Sequence, residues 1–570
     1  MGAIKIKAAF FLVFISSMAT YSFAQPGTDL PAEQVEVIKI FEAQLAESEK
    51  VAVNPELPPT DTSIQRQQYD VPAKSIEVEY QAPRIRPIAH KSDEDIPDAY
   101  KTYLKLGGGL PKSIYGEGAF NTLFKLQDKS TVDIGLDLLH HSGDYSTGDI
   151  ENRRFSLTKA EGKGTYYSTQ GYAVGANMGF TSDKVHYYGY STDVQNPDEY
   201  PNGTFEPEAV RQVFSTFDLG AKIFNGVQTA GDINYSAGVD LYVLSDRQAS
   251  DETGLDFKLK GTKWFKEKHS LDIGLRTDFT WYNDTMNLSQ TLHNYTLSPS
   301  FTFHASAIKV KVGARVVSSN DEFFLFPDAE VVANITGNEL AFYVGVEGDL
   351  QKNNFRAISN YNPFIHSRFP APDNNLRNTK YFNVYAGFRG NLKFFEYTLQ
   401  AGYKPTNDLA LYKFDYDYRD AKGIYAFNVV YDNADIFNIG GSVKAVPLRG
   451  LAVTATLSQN IFNLQREDKP WHLPSFEANF QVLYTFLQNK VNLKAQLYLE
   501  NGVPANPRQI GRAAIDLGSL YDLNIGGEYW FVKNIGAFVN INNILNNHRP
   551  RWLYYPTVGA NFLAGFTARF

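Results

Sequence analysis

The sequence predicts an all-β protein, a large transmembrane antiparallel β-barrel with a short N-terminal extension. Three observations predict this fold. Short stretches of alternating apolar and polar residues repeat from about residue 100 onward, an export signal precedes them, and the chain ends in an apolar strand that closes on Phe570. A period of two places the two kinds of side chain on opposite faces of a strand. A closed barrel also satisfies its backbone polar groups within a bilayer.

The composition favours a barrel over the alternative, a soluble all-β protein rich in Tyr and Phe. Aromatic residues make up 14% of the 570 residues and charged residues 20%. Aromatic girdles around a polar lumen produce such a mixture. The chain has no cysteine, which excludes disulfides, thiolate chemistry and a cysteine-linked lipid anchor. A net charge of −8 does not suggest a nucleic-acid partner.

Residues 1–24 are predicted to be a secretory signal peptide. Lys5 and Lys7 precede a short apolar stretch, and Ser22 and Ala24 place small residues at −3 and −1 of a cut before Gln25. Elsewhere the sequence contains no run of about 20 apolar residues, the length that a spanning helix needs. We therefore expect export, with strands rather than helices crossing the membrane.

Residues 25–98 differ in character from the rest. Helical spacing places Val35, Ile38, Phe41 and Leu45 near one face of a short helix, a candidate docking helix, before a Pro-rich stretch. We interpret this segment as a periplasmic or lumen-docked extension, with a flexible linker as the alternative. The predicted domains are thus the signal peptide 1–24, the extension 25–98 and the barrel 99–570.

The alternating stretches of the barrel define its two predicted faces. In residues 271–281 the apolar side chains share one face, and Asp272, Arg276 and Asp278 share the other. In residues 308–316 the corresponding polar residues include Lys309, Lys311 and Arg315. We expect these six charged residues to face the lumen. About 22 segments have the length of a tilted membrane-spanning strand, and the predicted range is 16–22 strands.

The connections between predicted strands differ in length. Short turns at 266–269 and 488–490 are expected on the periplasmic side, and longer polar loops at 190–211 and 352–378 on the outside. The loop 352–378 is rich in Asn, Pro and aromatic residues. Such a loop binds a partner, folds into the lumen, or is an ordinary variable surface loop.

The C-terminal strand carries the most specific signal in the sequence. Phe562, Phe566 and Phe570 lie on one face of it, in the manner of a barrel insertion signal, and closure requires this strand to pair with the first one near residues 103–109. The last 35 or so residues resemble the end of TonB-dependent receptor barrels. The residues that carry this resemblance are Asn540, Asn542, Asn543, Tyr555, Pro556, Thr557, Asn561 and Phe570.

The resemblance implies an outer-membrane location and a role in transport. Members of that family carry a longer plug domain before the barrel than residues 25–98 provide, so the chain resembles a plugless receptor. The tripeptide Asp284-Thr285-Met286 also resembles a short O-glycosylation motif of Bacteroidetes-type bacteria.

The sequence nominates no enzymatic site. It contains no HExxH, no G-x-S-x-G and no phosphate-binding glycine loop. His140 and His141 are adjacent and point to opposite faces of a strand, so they do not ligate one metal together. Asp415, Asp417 and Asp420 are interpreted as a solvated loop rather than a Ca²⁺ site. We therefore predict no catalytic residues, no cofactor and no metal.

Two functions remain open at this point. The first is passage of a polar solute across the outer membrane, for which a barrel of about 22 strands needs something to fill its lumen. The second is a structural or accessory subunit of an outer-membrane protein assembly, secretion or surface-lipoprotein complex. Outer-membrane lipids are expected partners in both cases, and outer-membrane or periplasmic proteins in the second.

Overall fold

The structure is a computed structural model that describes residues 100–147, 150–190, 205–225, 231–284, 289–369, 376–416, 425–509 and 511–570. The predicted signal peptide and the extension 25–98, including Val35, Ile38, Phe41 and Leu45, lie outside the described residues. The described residues all belong to the barrel and its loops.

Within the described residues, twenty-two strands form one antiparallel sheet, two further pairs of very short strands lie in loops, and one short helix lies in the longest connection. In chain order the elements are β1 (Thr102–Leu110), β2 (Ser113–Lys125), β3 (Thr131–Asp144), β4 (Arg154–Tyr167), β5 (Tyr172–His186), β6 (Arg211–Asn225), β7 (Ile233–Asp246), β8 (Asp251–Phe265), β9 (His269–Asn283), β10 (Ser289–His304), β11 (Ile308–Ser319), β12 (Glu322–Thr336), β13 (Leu340–Gln351), α1 (Phe355–Tyr361), β14 (Thr379–Leu392), β15 (Phe395–Phe414), β16 (Phe427–Leu448), β17 (Leu451–Leu464), β18 (Phe476–Phe486), β19 (Val491–Asn501), β20 (Pro504–Ala505), β21 (Ile515–Asp516), β22 (Leu520–Trp530), β23 (Ile535–Asn542), β24 (Pro550–Trp552), β25 (Tyr555–Pro556) and β26 (Asn561–Arg569).

The sheet closes on itself. Each of its strands pairs with its neighbours along the barrel, and β1 pairs antiparallel with β26 from Tyr103 opposite Arg569 to Leu110 opposite Phe562. Closure leaves no strand edge unpaired, so the backbone polar groups of the wall are satisfied without water. The predicted fold, the strand number and the pairing of the first strand with the last are confirmed.

The two ends of the barrel differ. At one end the connections are short, such as 266–268 between β8 and β9 and 449–450 between β16 and β17. At the other end most are longer, although 111–112 and 320–321 are also short, and the longest, residues 352–378, contains α1. Outer-membrane barrels have short periplasmic turns and longer external loops, so the long connections mark the external end. β1 begins and β26 ends at the periplasmic end.

The outward face of the wall is an apolar belt. Leu136 and Leu138 on β3, Phe217 and Leu219 on β6 and Ile439 on β16 are each 41–45% exposed. Such residues alternate with polar ones along each strand, and every strand of the sheet contributes to the same closed surface. A continuous exposed apolar surface of this kind is stable only against lipid. The chain is therefore an outer-membrane barrel. In the described residues, no helix is long and apolar enough to cross a membrane.

The height of the wall varies around the barrel. β15 and β16 have 20 and 22 residues, and their outer parts continue beyond the belt into the external loops. The neighbouring strands β23, β26 and β1 have only 8, 9 and 9 residues. The closure of the barrel is thus formed by its shortest strands.

Candidate functional site

One side of the lumen wall, formed by β6 to β13, is lined by charged residues that pair with one another. Arg276 on β9 binds Asp256 on β8 through two nitrogens, with Nε–Oδ1 at 2.9 Å and Nη2–Oδ2 at 2.7 Å. Lys311 lies 2.8 and 2.7 Å from the two carboxylate oxygens of Asp328. Arg315 lies 3.1 Å from Asp349. We name this surface the charged arc.

The structure brings most of the predicted lumen residues together here. Asp272, Arg276, Lys311 and Arg315 line one cavity of about 440 Å³ in the charged arc. Asp278 lies on the same face of β9, where Arg276 and Lys352 both contact it. Lys309 lies opposite His304 of β10. Because cations and anions alternate across neighbouring strands, the charged arc presents paired charges rather than a field of one sign.

The facing side of the wall is lined at mid-height mostly by uncharged polar side chains, with Lys404 and Lys494 among them. These alternate with outward apolar residues such as Phe437 and Ile439, which are 41% exposed. We name this surface the amide arc. Its members on β16 to β19, β22 and β23 are Asn438, Ser458, Asn460, Asn479, Gln481, Gln496, Asn524 and Asn540.

Strand register places the members of the amide arc side by side. Gln496 lies opposite Gln481 on one neighbouring strand and opposite Asn524 on the other, so three amides form a row. Asn438 lies opposite Asn460 and donates to its Oδ1 at 2.8 Å. Each amide offers two donors and one acceptor oxygen with two lone pairs, and these contacts use only part of that capacity.

The external mouth of the barrel is crossed by residues 352–369. Together with the residues that pack on them (Tyr187, Phe427, His472, Trp552 and Tyr555), they form what we name the loop cap. Phe355, Ile365 and Ser367 are fully buried in it. The described part of the loop 352–378 therefore folds inward, one of the three predicted outcomes, and is not an ordinary variable surface loop.

Glu252 on β8 anchors α1 from the wall. Its carboxylate accepts from the backbone N–H of Phe355 at 2.7 Å and of Arg356 at 3.1 Å, and from the amide of Asn354 at 2.8 Å. The hydroxyl of Tyr242 donates to it at 2.8 Å. The side chain of Asn354 caps the helix by accepting from the N–H of Ala357 at 3.1 Å. The carboxylate thus satisfies backbone donors that the start of a helix leaves without intrahelical partners.

A second anchor lies two strands away along the wall. Arg356 binds Asp218 on β6 through both terminal nitrogens, at 2.7 and 3.1 Å. Such a bidentate pair fixes orientation as well as distance. Lys352 contacts Asp278 on β9. The start of the loop cap is therefore held by carboxylates of three different strands.

The rest of the loop cap is held through its backbone. The hydroxyl of Tyr187 donates to the carbonyl of Ile365 at 2.9 Å, and the hydroxyls of Ser250 and Tyr282 donate to that of Ser367. Phe427 exchanges two backbone hydrogen bonds of 2.9 Å with Phe364 and His366. These partners belong to both sides of the barrel, so residues 352–369 brace its mouth from wall to wall.

Aromatic side chains fill the space around this brace. Phe364 stacks on Tyr555 with ring centroids 3.8 Å apart, and Trp552 lies against Phe427 and His472 at 5.6 and 5.4 Å.

The Nδ1–H of His472 donates to the carbonyl of Tyr412 at 2.7 Å, while Nε2 accepts from the N–H of Leu553 at 3.2 Å. Burial lowers the pKa of His472 to about 4, so the imidazole is neutral at pH 7.

A cavity of about 420 Å³ lies where the loop cap meets the amide arc. Tyr361 and Trp552 line it from the cap, and Asn460 and Phe462 from the wall. A second cavity of about 320 Å³ shares Asn460 and Phe462 and continues down the wall past Asn438. The two together form a groove that runs from the cap along the amide arc.

The remaining predicted residues have simpler surroundings. Phe562, Phe566 and Phe570 are 40%, 69% and 62% exposed, and they form part of the outward or rim surface. Asp417 and Asp420 lie outside the described residues, and within the described ranges no three His, Asp or Glu side chains gather as a metal site needs.

Sequence reasoning did not single out Glu252, Asp218 or the amide arc. Glu252 and Asp218 each lie in an alternating stretch like many other carboxylates, and nothing local marks them as partners of α1. The aromatic residues of the loop 352–378 were the one available signal that it buries itself. Asn542 and Asn561, quoted for the C-terminal resemblance, are bonded to each other at 2.8 Å across β23 and β26.

The chain matches no protein-family model and no curated protein. Solved structures with a similar fold include the FrpB iron transporter from Neisseria meningitidis, with a TM-score of 0.62 and 8% identity over 83% of this chain and 82% of that one. They also include the ferric-catecholate import receptor Fiu from K12 E. coli (TM-score 0.61, 8% identity, 83% and 82% covered) and the copper transporter OprC (TM-score 0.58, 12% identity, 83% and 80% covered).

At these identities the likeness establishes the fold. The neighbours are TonB-dependent receptors, and the likeness to them concerns the fold of the barrel. The chain is a 22-stranded outer-membrane barrel with the architecture of TonB-dependent receptor barrels.

Proposed function

We propose that this barrel passes a polar solute across the outer membrane and that the loop cap gates its external mouth. The observation that carries the proposal is the combination of a polar lumen and a cap held by specific contacts with the wall, above all those of Glu252 and Arg356. A plain structural barrel needs no such cap. The solved neighbours, two of them named as iron or copper transporters, support a transport role by analogy of fold.

Residues 25–98 have a part in this proposal. A barrel of 22 strands without a filled lumen would leak. We propose that this extension, rather than the longer plug of the receptors, limits permeation from the periplasmic side, and that the chain is plugless in that sense. The loop cap would then limit it from outside. No chemical step is involved, and we propose no catalytic role for any residue.

Single-channel conductance of the purified full-length protein in a planar bilayer tests the proposal. We expect a mostly closed channel with rare openings, because the loop cap and the extension 25–98 are both proposed to limit permeation. Deletion of 25–98 should raise the conductance, since it removes one barrier. If this deletion and disruption of the loop cap together still leave the barrel impermeable, gated passage is wrong.

A second function, an accessory subunit of a larger outer-membrane complex, is favoured by the depth of the cap. Ile365 and Ser367 are fully buried, which suits a permanently closed mouth as well as a gate. In this case the candidate docking helix that carries Val35, Ile38, Phe41 and Leu45 would bind another protein. Affinity purification of the full-length and 25–98-deleted chains separates the two functions. A stoichiometric partner that disappears with the deletion supports the accessory role.

A further inference from the structure

We propose that the closure between β1 and β26 opens sideways toward the bilayer and admits a single-chain anionic lipid, such as a fatty acid, to the lumen face of the barrel. This function is separate from the passage of a polar solute, and it does not require the loop cap to open. The closure is weakly paired, buries two polar groups without partners, and lies beside two cations and an apolar row.

The closure is the part of the wall that can separate with the least strain. Within the described residues β1 is the first strand of the sheet and β26 the last, so no turn or loop of the barrel joins them. Gly107 lies opposite Gly565, so the pair has no side chains to pack at this position. Cross-strand side-chain pairs stabilise a sheet and glycine weakens a strand. The two strands can therefore part without pulling on a connection.

Two polar groups are buried beside the closure. Thr567 is 1% exposed and Trp530 is 2% exposed, and among the described residues neither the Thr567 hydroxyl nor the Trp530 Nε1–H has a hydrogen-bond partner. Both side chains pack on Gly536, which lies opposite Trp530 on one neighbouring strand and opposite Thr567 on the other. Such groups lose their water without gaining a partner, which is unfavourable. An acceptor that reached them on opening would offset part of the cost of parting the strands.

Two cations lie next to these donors. Lys105 lies opposite Thr567 across the closure, and the guanidinium carbon of Arg569 lies 4.0 Å from the ring centroid of Trp530. Arg569 also donates to the carbonyl of Lys533 at 3.0 Å. In the described part of the chain neither cation forms an ion pair. Two cations and two free donors in one place suit a carboxylate or phosphate group, whose oxygens accept several hydrogen bonds at once.

The carboxylates near Lys105 are held by neutral donors. Glu528 accepts from the hydroxyl of Tyr103 at 3.1 Å, and Glu117 accepts from the hydroxyl of Tyr115 at 2.8 Å. Both carboxylates are thus oriented by tyrosines rather than by Lys105. The ammonium group of Lys105 remains able to bind an anion that enters between the strands.

An apolar row lies one register step nearer the middle of the bilayer. Register places Phe538, Gly565, Gly107, Tyr115 and His141 side by side across the closure. The ring of Phe538 lies 6.3 Å from that of Tyr115, which lies 5.5 Å from that of His141. Phe538 also covers Gly107, where an added Cβ would lie 2.6 Å from its Cζ. An acyl chain over the two glycines would find apolar contacts on both sides.

The order of these groups along the wall matches the order of groups in a lipid. Lys105 lies near the start of β1 and Arg569 is the last residue of β26, so the cations lie toward the periplasmic end, where the headgroups of that leaflet lie. On the lipid side of the same place, Leu106 and Phe566 are 53% and 69% exposed. A free anion has no use for the apolar row, whereas a fatty acid uses both parts.

A disulfide across the closure tests the opening directly, because the chain has no cysteine of its own. Gly108→Cys with Ala564→Cys joins directly opposed residues, and a Cβ at Gly108 meets the Ser113 carbonyl oxygen at an ordinary 3.6 Å. Opposed residues of antiparallel strands have Cα atoms about 4.5–5.5 Å apart, which a disulfide spans. Ala386→Cys with Ala401→Cys, opposed on β14 and β15, is the matched control.

The probe is palmitate with a diazirine at the end of its chain, photolysed in proteoliposomes of the full-length protein. Mass spectrometry then reports adducts on the lumen-facing Tyr115 and His141. We expect these adducts in the reduced closure pair, their loss to background after oxidation, and no change in the control pair. The reduced and oxidised forms are the same folded protein, so misfolding does not imitate this result. Absence of lumen adducts in the reduced form, or their persistence after oxidation, overturns the lateral opening.

The anionic headgroup is tested with hexadecanol that carries the same diazirine. Lys105→Met should lower palmitate labelling of the lumen residues about tenfold, the effect of losing one charge-assisted hydrogen bond, and leave hexadecanol labelling unchanged. Lys309→Met, in the charged arc, is the matched control and should change neither. Equal labelling by palmitate and hexadecanol, or unaltered palmitate labelling in Lys105→Met, overturns recognition of an anion. The conductance of the locked chain still reports solute passage, so failure of the lipid site and failure of the proposed function are distinguished.

Discussion

Replacement of Glu252 by Ala should release the loop cap. The side chain is fully buried and accepts four hydrogen bonds, two of them from backbone N–H groups of Phe355 and Arg356. Without the carboxylate, these two donors stay buried with no acceptor, at a cost of about 1–3 kcal/mol each. Docking of α1 should therefore weaken by about 4 kcal/mol, which is roughly a 1,000-fold rise in the ratio of open to closed cap.

The assay for this effect is single-channel conductance of the full-length protein, with the fraction of time open as the readout. Glu252→Gln keeps one acceptor oxygen and should have a smaller effect, since about 2 kcal/mol of docking free energy remains. Asp240→Asn is the control, because Asp240 pairs with Lys258 on the wall. Open fractions that are the same in wild type, Glu252→Ala and Asp240→Asn would refute the reasoning that α1 is held by Glu252.

Three further perturbations test the cap and the lipid-facing wall. The pKa of His472 is lowered from 6.5 to about 4, so the folded cap favours the neutral imidazole. This contribution to stability, about 3 kcal/mol, is complete above pH 6.5 and is lost as the pH falls to 4. Tryptophan fluorescence of the cap should therefore change between pH 6.5 and 4, and a profile that is flat from about pH 7 to 4 would contradict this prediction. Arg356→Ala should also open the cap. A double-mutant cycle with Asp218→Ala should give a coupling free energy of about 1 kcal/mol, because both side chains are about one-third exposed and solvent screens the pair. Additive effects of the two substitutions on the open fraction would show that the pair contributes nothing. Phe566→Arg places a charge on the lipid face and should lower the free energy of unfolding in vesicles by about 2–4 kcal/mol. Denaturant titration measures this change, with Phe566→Leu as the control. Equal stabilities of the two variants would place Phe566 outside the bilayer.

The strands were predictable because their signal is local. Alternation over residues 271–281 predicts a strand, and the structure extends it to His269–Asn283 as β9. The turn before it is marked by Lys266 and Glu267, whose φ values are 51° and 57°. A tight turn and a period of two are both properties of neighbouring residues, so they can be read without knowledge of the pairing.

The candidate site was not predictable for the opposite reason. Glu252 meets the N–H of Phe355 across 103 positions of sequence, and Asp218 meets Arg356 across 138. The row of Gln481, Gln496 and Asn524 exists only once the register of three strands is fixed. A single-residue slip in any of them would turn its amides toward lipid. Long-range pairing and register carry the information that the local pattern lacks.

The uneven height of the wall has a consequence for the surrounding lipid. β23, β26 and β1 lie side by side with 8, 9 and 9 residues. With about 3.4 Å per residue and a tilt near 40°, they span roughly 20–23 Å, less than the ~25 Å apolar band of an average outer-membrane barrel. Acyl chains beside these strands must shorten or tilt, while those beside β15 and β16 need not. The bilayer is therefore locally thinner along one side of the barrel. This side should preferentially face short-chain lipids or membrane proteins with equally short strands.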